Sequence, residues 1–155
     1  MNILVLCTGN SARSILLESI FNQLSGGRVK AWSAGSKPAG RVHPQSLRLL
    51  AEKGLPTDGL TSQSWDDYAR DDAPVMDAVI TVCGSAAEEE CPYWPGAPLR
   101  AHWGVEDPAA AGPEDQEQAF SEAFDLLAAK AERFLAHPIE DMDGPALQAA
   151  LNASA

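Results

Sequence analysis

From Cys7 to Ser14 the chain reads Cys7-Thr8-Gly9-Asn10-Ser11-Ala12-Arg13-Ser14, a thiol and a guanidinium separated by small residues. The apolar run Ile3-Leu4-Val5-Leu6 leads into the cysteine, and a helix-patterned segment begins at the arginine. A buried strand therefore ends at Cys7, and a tight loop carries the chain to a helix start. Successive backbone N–H groups of such a loop point inward and form an anion-binding nest. The N-terminus of the following helix adds partial positive charge. Arg13 can hold two oxygens at once through its planar fork. Thr8 to Ser14 thus read as a socket for a tetrahedral oxyanion, with Cys7 at its floor. The same field is expected to lower the thiol pKa, leaving Cys7 ionised and nucleophilic at neutral pH. A cysteine at a strand end is by itself an ordinary small core residue. The conjunction of strand, Gly-Asn loop, arginine and helix carries the chemical reading.

Alternating strands and helices must position these groups. Residues 3–7 read as the first strand, and 13–24 as a helix with Leu16, Leu17, Ile20, Phe21 and Leu24 on one face. Gly26-Gly27 stops that helix. Val29 to Ala34 is the second strand, and Pro44 opens a helix running to about Lys53. Ser64 caps a short helix starting at Trp65. Ala78 to Val82 is the third strand and runs into a second cysteine, Cys83. Residues 85–91 suit a short helix or a mobile loop, and Pro92, Pro95 and Pro98 forbid regular structure after it. Leu99 to Trp103 is the fourth strand. The last long helix spans 114–136, with Phe120, Phe124, Leu127, Ala131, Phe134 and Leu135 on one face. Residues 1–138 read as one domain. Residues 139–155 read as a loosely held tail, with at most a helical turn near 145–151. The alternation implies a parallel sheet with right-handed crossovers. Order 2-1-3-4 gives a three-layer, flavodoxin-like α/β domain. Ligands in such sheets bind at the carboxyl ends of the strands. Cys7, Cys83 and the loop after Trp103 all lie at those ends, so one site built from three distant segments is expected.

Composition narrows the function classes. A chain of 155 residues with 45% hydrophobic content can bury a real core. The net charge is −11, and about half of the acids lie between Glu106 and Asp143. Nucleic-acid binding needs a basic footprint and is disfavoured. No run approaches the ~20 apolar residues of a membrane span. Met1-Asn2 leads straight into strand residues with no signal-peptide pattern, so a cytoplasmic protein is expected. The odd cysteine count, Cys7, Cys83 and Cys91, argues against a structural disulfide framework. His43, His102 and His137 do not make a metal-ligand spacing. The four tryptophans, Trp32, Trp65, Trp94 and Trp103, suit packing better than a binding platform.

The Cys7–Ser14 loop resembles the phosphate-binding loop of low-molecular-weight protein tyrosine phosphatases, and Asp107-Pro108 resembles that family's general-acid Asp-Pro. The segments Cys83-Gly84-Ser85-Ala86-Ala87-Glu88-Glu89-Glu90-Cys91-Pro92 and His102-Trp103-Gly104-Val105-Glu106-Asp107-Pro108 resemble the thiol-coupled arsenate reductases that share the phosphatase fold. The resemblance covers the chain from Asn2 to about Leu135. It implies a thiol relay. Cys7 would attack arsenate held by the loop amides and Arg13, while Asp107 protonates the departing oxygen. Cys83 would attack the Cys7 sulfur and release arsenite, leaving a Cys7–Cys83 disulfide. Cys91 would carry the disulfide outward as Cys83–Cys91, and thioredoxin would reduce it. A disulfide needs Cα atoms within ~7 Å, whereas eight residues of regular helix span ~12 Å. The 83–91 segment must therefore loop or unwind to close that pair. The resemblance also implies that Ser14 donates to the Cys7 thiolate. It has Asn10 brace the loop and Gly9 take a conformation closed to other residues. Asn10, Glu18, Ser33, Ser64 and Asp66 could correspond to a potassium site found in some reductases. No other bound cofactor is expected.

Several departures keep alternatives open. Ala12 stands where the phosphatases often carry a second loop cysteine. The step from Cys83 to Cys91 is one position longer than in the best-known thioredoxin-coupled reductases. Glutathione with glutaredoxin, or another small thiol, could therefore serve as donor in place of thioredoxin. Ala109-Ala110-Ala111 follow the Asp-Pro where the phosphatases place aromatic groups to grip phosphotyrosine. Glu106 is a second candidate acid. The competing functions are a phosphatase using Cys7, Arg13 and Asp107, and a non-catalytic oxyanion-binding domain. A monomer is expected in each case.

Overall fold

The computed structural model describes residues 1–84 and 94–155. The expected short helix or loop over 85–91, and Cys91 with it, lies outside the described residues. Strand β1 (Asn2–Cys7) pairs in parallel with β2 (Lys30–Gly35) on one side and β3 (Ala78–Thr81) on the other. Strand β4 (Leu99–His102) pairs in parallel with β3. The order β2-β1-β3-β4 is the one the alternation implies. Among the described residues the α-helices are α1 (Arg13–Leu24), α2 (Pro44–Glu52), α3 (Gln116–Leu135) and α4 (Gly144–Ser154). Short 3-10 turns cover Trp65–Tyr68, Pro108–Ala110 and Ile139–Asp141.

Strand side chains alternate between faces, and β1 is apolar on both. Ile3 and Val5 face a core made with Ile15, Leu16 and Ile20 of α1 and with Phe120, Leu127 and Phe134 of α3. Leu4 and Leu6 face a smaller cluster with Trp65, Tyr68, Met76 and Trp94. The central strand is thus closed to water on both sides, and its free carboxyl end is where the socket forms. Trp103, Trp65 and Trp94 are buried packing residues, as their types suggested.

The C-terminal segment differs from the sequence reading. Residues 139–155 are not a loose tail: α4 packs on the main core through Ala150 and Leu151, and Ile139 is buried with them. Asp143 caps α4 by accepting from Ala146 N, and Pro145 sits in its first turn. The buried Trp103 indole must find an acceptor, and its Nε1 donates to Leu151 O at 2.9 Å. Arg28 fixes the preceding turn by donating to Leu135 O and His137 O at 2.6 and 2.7 Å and pairing with Glu140. The helical signal in this segment is weak because its apolar face is narrow and mostly alanine. The Leu151→Ala variant is expected to lose about 2–5 kcal/mol of unfolding free energy, as for other fully buried leucines. Urea denaturation measures this; a loss under about 0.5 kcal/mol, typical of a surface site, would mean the segment is not part of the core.

Candidate active site

Cys7 is the last residue of β1 and sits opposite Gly35 at the end of β2. Past β3, Val82 N still bonds Leu6 O at 3.0 Å, so Cys83 leaves the sheet beside Cys7. Both thiols are buried and unbridged, and the Cys83 thiol lies against that of Cys7. Thr8 Oγ1 is 3.5 Å from Cys83 Sγ. The parallel ladder therefore brings together two cysteines far apart in sequence.

The loop after Cys7 is held from outside by the segment 37–43. Lys37 N donates to Thr8 O at 3.0 Å, Ala39 N to Gly9 O at 2.9 Å and His43 N to Ser11 O at 2.9 Å. In a planar trans peptide the N–H points opposite the carbonyl. Turning these carbonyls outward turns the N–H groups of Gly9, Asn10 and Ala12 toward the socket. Among the described residues no group accepts from these three N–H groups. Ala12 begins α1 without a side-chain cap, so the helix N-terminus also opens onto this space. The resulting cavity, about 140 Å³, is lined by Cys7 through Arg13 together with Asp107 and Ala109.

Two loop details correct the sequence reading. The left-handed residue is Asn10, with φ of 47°, and not Gly9. Asparagine tolerates this region, and its side chain is fastened on every side. Asn10 Oδ1 accepts from Gln63 N at 2.8 Å, and Nδ2 donates to Ser14 Oγ and Ser33 Oγ at 2.9 Å each. Among the described residues Ser14 makes no hydrogen bond to Cys7; its oxygen is taken by Asn10. The glycine that the loop needs is Gly35, where a Cβ would stand 2.4 Å from Thr8 O.

Arg13 is half-buried at the socket wall. Its Nη1 donates to Val105 O at 2.8 Å, and its Nη2 lies 3.8 Å from Asp107 Oδ2. Its Nε is buried with no partner among the described residues, which leaves a donor open to an anion. Asp107 is half-exposed at the mouth, and its Oδ1 caps the next turn by accepting from Ala109 N at 3.0 Å. Glu106 lines a different groove, with Glu122 and Leu126, and does not line the socket. His102 bonds Thr81 on the sheet and is likewise not a socket residue.

Electrostatics overturn one expectation. The Cys7 thiol is pushed up from its ordinary pKa, first by the adjoining Cys83 thiol and then by burial. Arg13 and the Thr8 N–H pull in the opposite direction and do not prevail. The field argument from sequence counted the arginine and the amides but not a second sulfur against the first. The residues matched to a potassium site divide into two groups. Asn10, Glu18 and Ser33 are joined by hydrogen bonds, with Ser33 donating to Glu18 at 2.6 Å. Ser64 accepts from Asp66 N on a neighbouring turn, where Asp66 is exposed. Burial raises Glu18 to about 7. No step below is routed through a cation. Among the described residues no three His, Cys, Asp or Glu side chains cluster to hold a metal.

Sequence reasoning found Cys7, Arg13, Cys83 and Asp107, which the structure brings together. It missed Gly35 and the 37–43 strap. A glycine at a strand's carboxyl end was a visible signal for the first; the strap acts through backbone N–H groups and leaves no side-chain signature. Two outcomes are expected here. Gly35→Ala forces the Thr8 carbonyl to shift, so phosphate affinity by calorimetry should fall at least about tenfold, because the loop amides lose their alignment. Unchanged affinity would mean the close approach is not needed. Cys83→Ser removes the largest influence raising the Cys7 pKa. Iodoacetamide alkylation of Cys7 at pH 7, read by peptide mass spectrometry, should then speed up severalfold. An equal or slower rate would contradict the assigned cause.

Comparison with known proteins agrees with this geometry. Residues 2–143 match the family model for low molecular weight phosphotyrosine protein phosphatase. An arsenate reductase of Bacillus subtilis is 39% identical over 116 residues, covering 74% of this chain and 80% of that protein. A crystal structure of arsenate reductase from Archaeoglobus fulgidus superposes with a TM-score of 0.62 at 30% identity, covering 84% of this chain and 98% of that one. The thioredoxin-dependent arsenate reductase of Corynebacterium glutamicum superposes with a TM-score of 0.57 at 25% identity, covering 81% of this chain and 57% of that one. With a strand-end cysteine, an amide-lined loop and a socket arginine in these positions, the chain belongs to the low molecular weight phosphotyrosine protein phosphatase family.

Proposed function

We propose that this protein reduces arsenate to arsenite by a cysteine relay. The observation that carries the reading is a pair of buried cysteines, with Cys7 lining the oxyanion socket and the Cys83 thiol lying against it. Simple phosphate-ester hydrolysis needs one nucleophile; a second thiol against the first is what a two-electron reduction needs. Its relatives in Bacillus subtilis and Archaeoglobus fulgidus are named arsenate reductases, which supports the same assignment.

The residues divide the work as follows. Inward N–H groups of the loop and the open Nε of Arg13 bind the tetrahedral anion. Cys7, as thiolate, attacks arsenic and displaces one oxygen, which Asp107 protonates at the mouth. Cys83 then attacks the Cys7 sulfur. The S–S bond forms as the S–As bond breaks, and its electron pair stays on arsenic, so As(V) leaves as As(III). The two thiols supply the two electrons. Cys91, carried over from the family resemblance, takes the disulfide to Cys83–Cys91 and restores Cys7. Thioredoxin is the proposed final reductant, supported by the thioredoxin-dependent relative of Corynebacterium glutamicum; a glutaredoxin–glutathione couple is the alternative. Among the described residues no helix is long and apolar enough to cross a membrane.

The test is NADPH consumption on adding arsenate, with thioredoxin and its reductase in one cuvette and glutathione, glutaredoxin and glutathione reductase in another. Arsenate-dependent turnover is expected with thioredoxin. Cys83→Ser should abolish turnover, by more than about a thousandfold, while leaving hydrolysis of an aryl phosphate by Cys7 in place. Arsenate turnover surviving that change would overturn the relay. No turnover in either cuvette alongside wild-type aryl phosphate hydrolysis would make the protein a phosphatase.

A further inference from the structure

Two serines outside the Cys7–Arg13 loop hold the loop's carbonyls. Ser62 Oγ donates to Gly9 O at 3.2 Å, beside the Ala39 N–H already bonded there. Ser46 Oγ donates to Ser11 O at 2.9 Å, beside the His43 N–H. These two carbonyls are therefore held twice, once by backbone and once by a hydroxyl. Ser46 is fully buried in the first turn of α2, and α2 is itself pinned by His43, whose Nδ1 accepts from Gln45 N at 3.0 Å. Ser62 is half-buried on the loop before the Trp65 turn.

We infer that Ser46 and Ser62 are positioning residues of the oxyanion site, each fixing one anion-binding peptide. Gly9 O and Asn10 N–H belong to one peptide unit, and Ser11 O and Ala12 N–H to another. Before an anion binds, both N–H groups face the socket with no acceptor among the described residues, which is costly. Flipping either peptide would relieve that cost and aim a carbonyl oxygen at the incoming anion. A flip must break both outer bonds at that carbonyl, so each hydroxyl raises the cost of flipping. Filling both lone pairs of a carbonyl also polarises its peptide and strengthens the opposite N–H as a donor. The socket is thereby preorganised for negative charge. The inference rests on the oxyanion reading of the loop and not on the reduction chemistry.

The experiment is titration of the reduced full-length protein with inorganic phosphate, followed by calorimetry and by the backbone amide 1H–15N signals. Wild type should bind, with downfield shifts at the Asn10 and Ala12 amides. Ser62→Ala should weaken binding about three- to tenfold, the worth of one hydrogen bond, and shrink the Asn10 shift more than the Ala12 shift. Ser62→Thr, which keeps the hydroxyl, should restore both. Ser46→Ala should weaken binding similarly and shrink the Ala12 shift preferentially. Leu49→Ala, a core truncation on the same helix, controls for lost stability and should leave both shifts at wild-type size. Wild-type binding with unchanged affinity in both serine variants would overturn the inference. So would equal loss at the two amides, or a loss matched by Leu49→Ala. Absence of phosphate binding by the wild type would instead overturn the oxyanion reading itself.

Discussion

The parallel register between β1 and its two neighbours is the constraint on which the rest depends. It sets Cys7 opposite Gly35 and carries the chain past β3 to Cys83, one residue beyond the level of Cys7. A one-residue slip would send Cys7 to the opposite face and move the loop away from both. The register is secured because β1 is apolar on both faces and buried between two clusters, so any slip exposes neither set cleanly but mispacks both. Gly35 completes the arrangement, since any side chain there would occupy the space of the Thr8 carbonyl.

The chemistry contains an internal tension. In the proposed relay Cys7 works as an anion, yet the closeness of Cys83 that the S–S bond requires also holds the Cys7 proton on. Two sulfurs near contact cannot both ionise cheaply. Arg13 and the Thr8 N–H offset part of this cost and leave the thiol raised. A single-thiol phosphatase site faces no such compromise. The proposed relay would gain its second reducing equivalent by accepting a less acidic nucleophile.

Much of this was legible in the chain. The apolar run before Cys7 and the spacing to Arg13 announced strand, loop and helix. The matching run before Cys83 fixed a second strand end at the same sheet edge. Asp107 was visible through its Asp-Pro pair. The rest was hidden for physical reasons. Outward-turned carbonyls are bonded by backbone N–H groups of Lys37, Ala39 and His43, whose side chains play no part in these bonds. The raised Cys7 pKa depends on a distance between residues far apart in sequence. Gly9 looked like the strained position because glycine favours positive φ, but the network around Asn10 stabilises that conformation there instead. The α4 helix was missed because a face built from alanine and two leucines has little amphipathic contrast.

The central place of β1 also shapes how the chain reaches this structure. Its partners are β2, close in sequence, and β3, reached only after the intervening helices and loops, as the Ile3–Ala78 pairing shows. Such non-local parallel pairing forms slowly, because chain closure comes before the contacts that reward it. Until β3 docks, Cys7 and Cys83 are ordinary exposed thiols of an unfolded chain, free to be oxidised with any partner. The ladder that later shelters them offers nothing during that interval. The order of strand pairing therefore leaves the two thiols apart and unsheltered for as long as β3 is undocked.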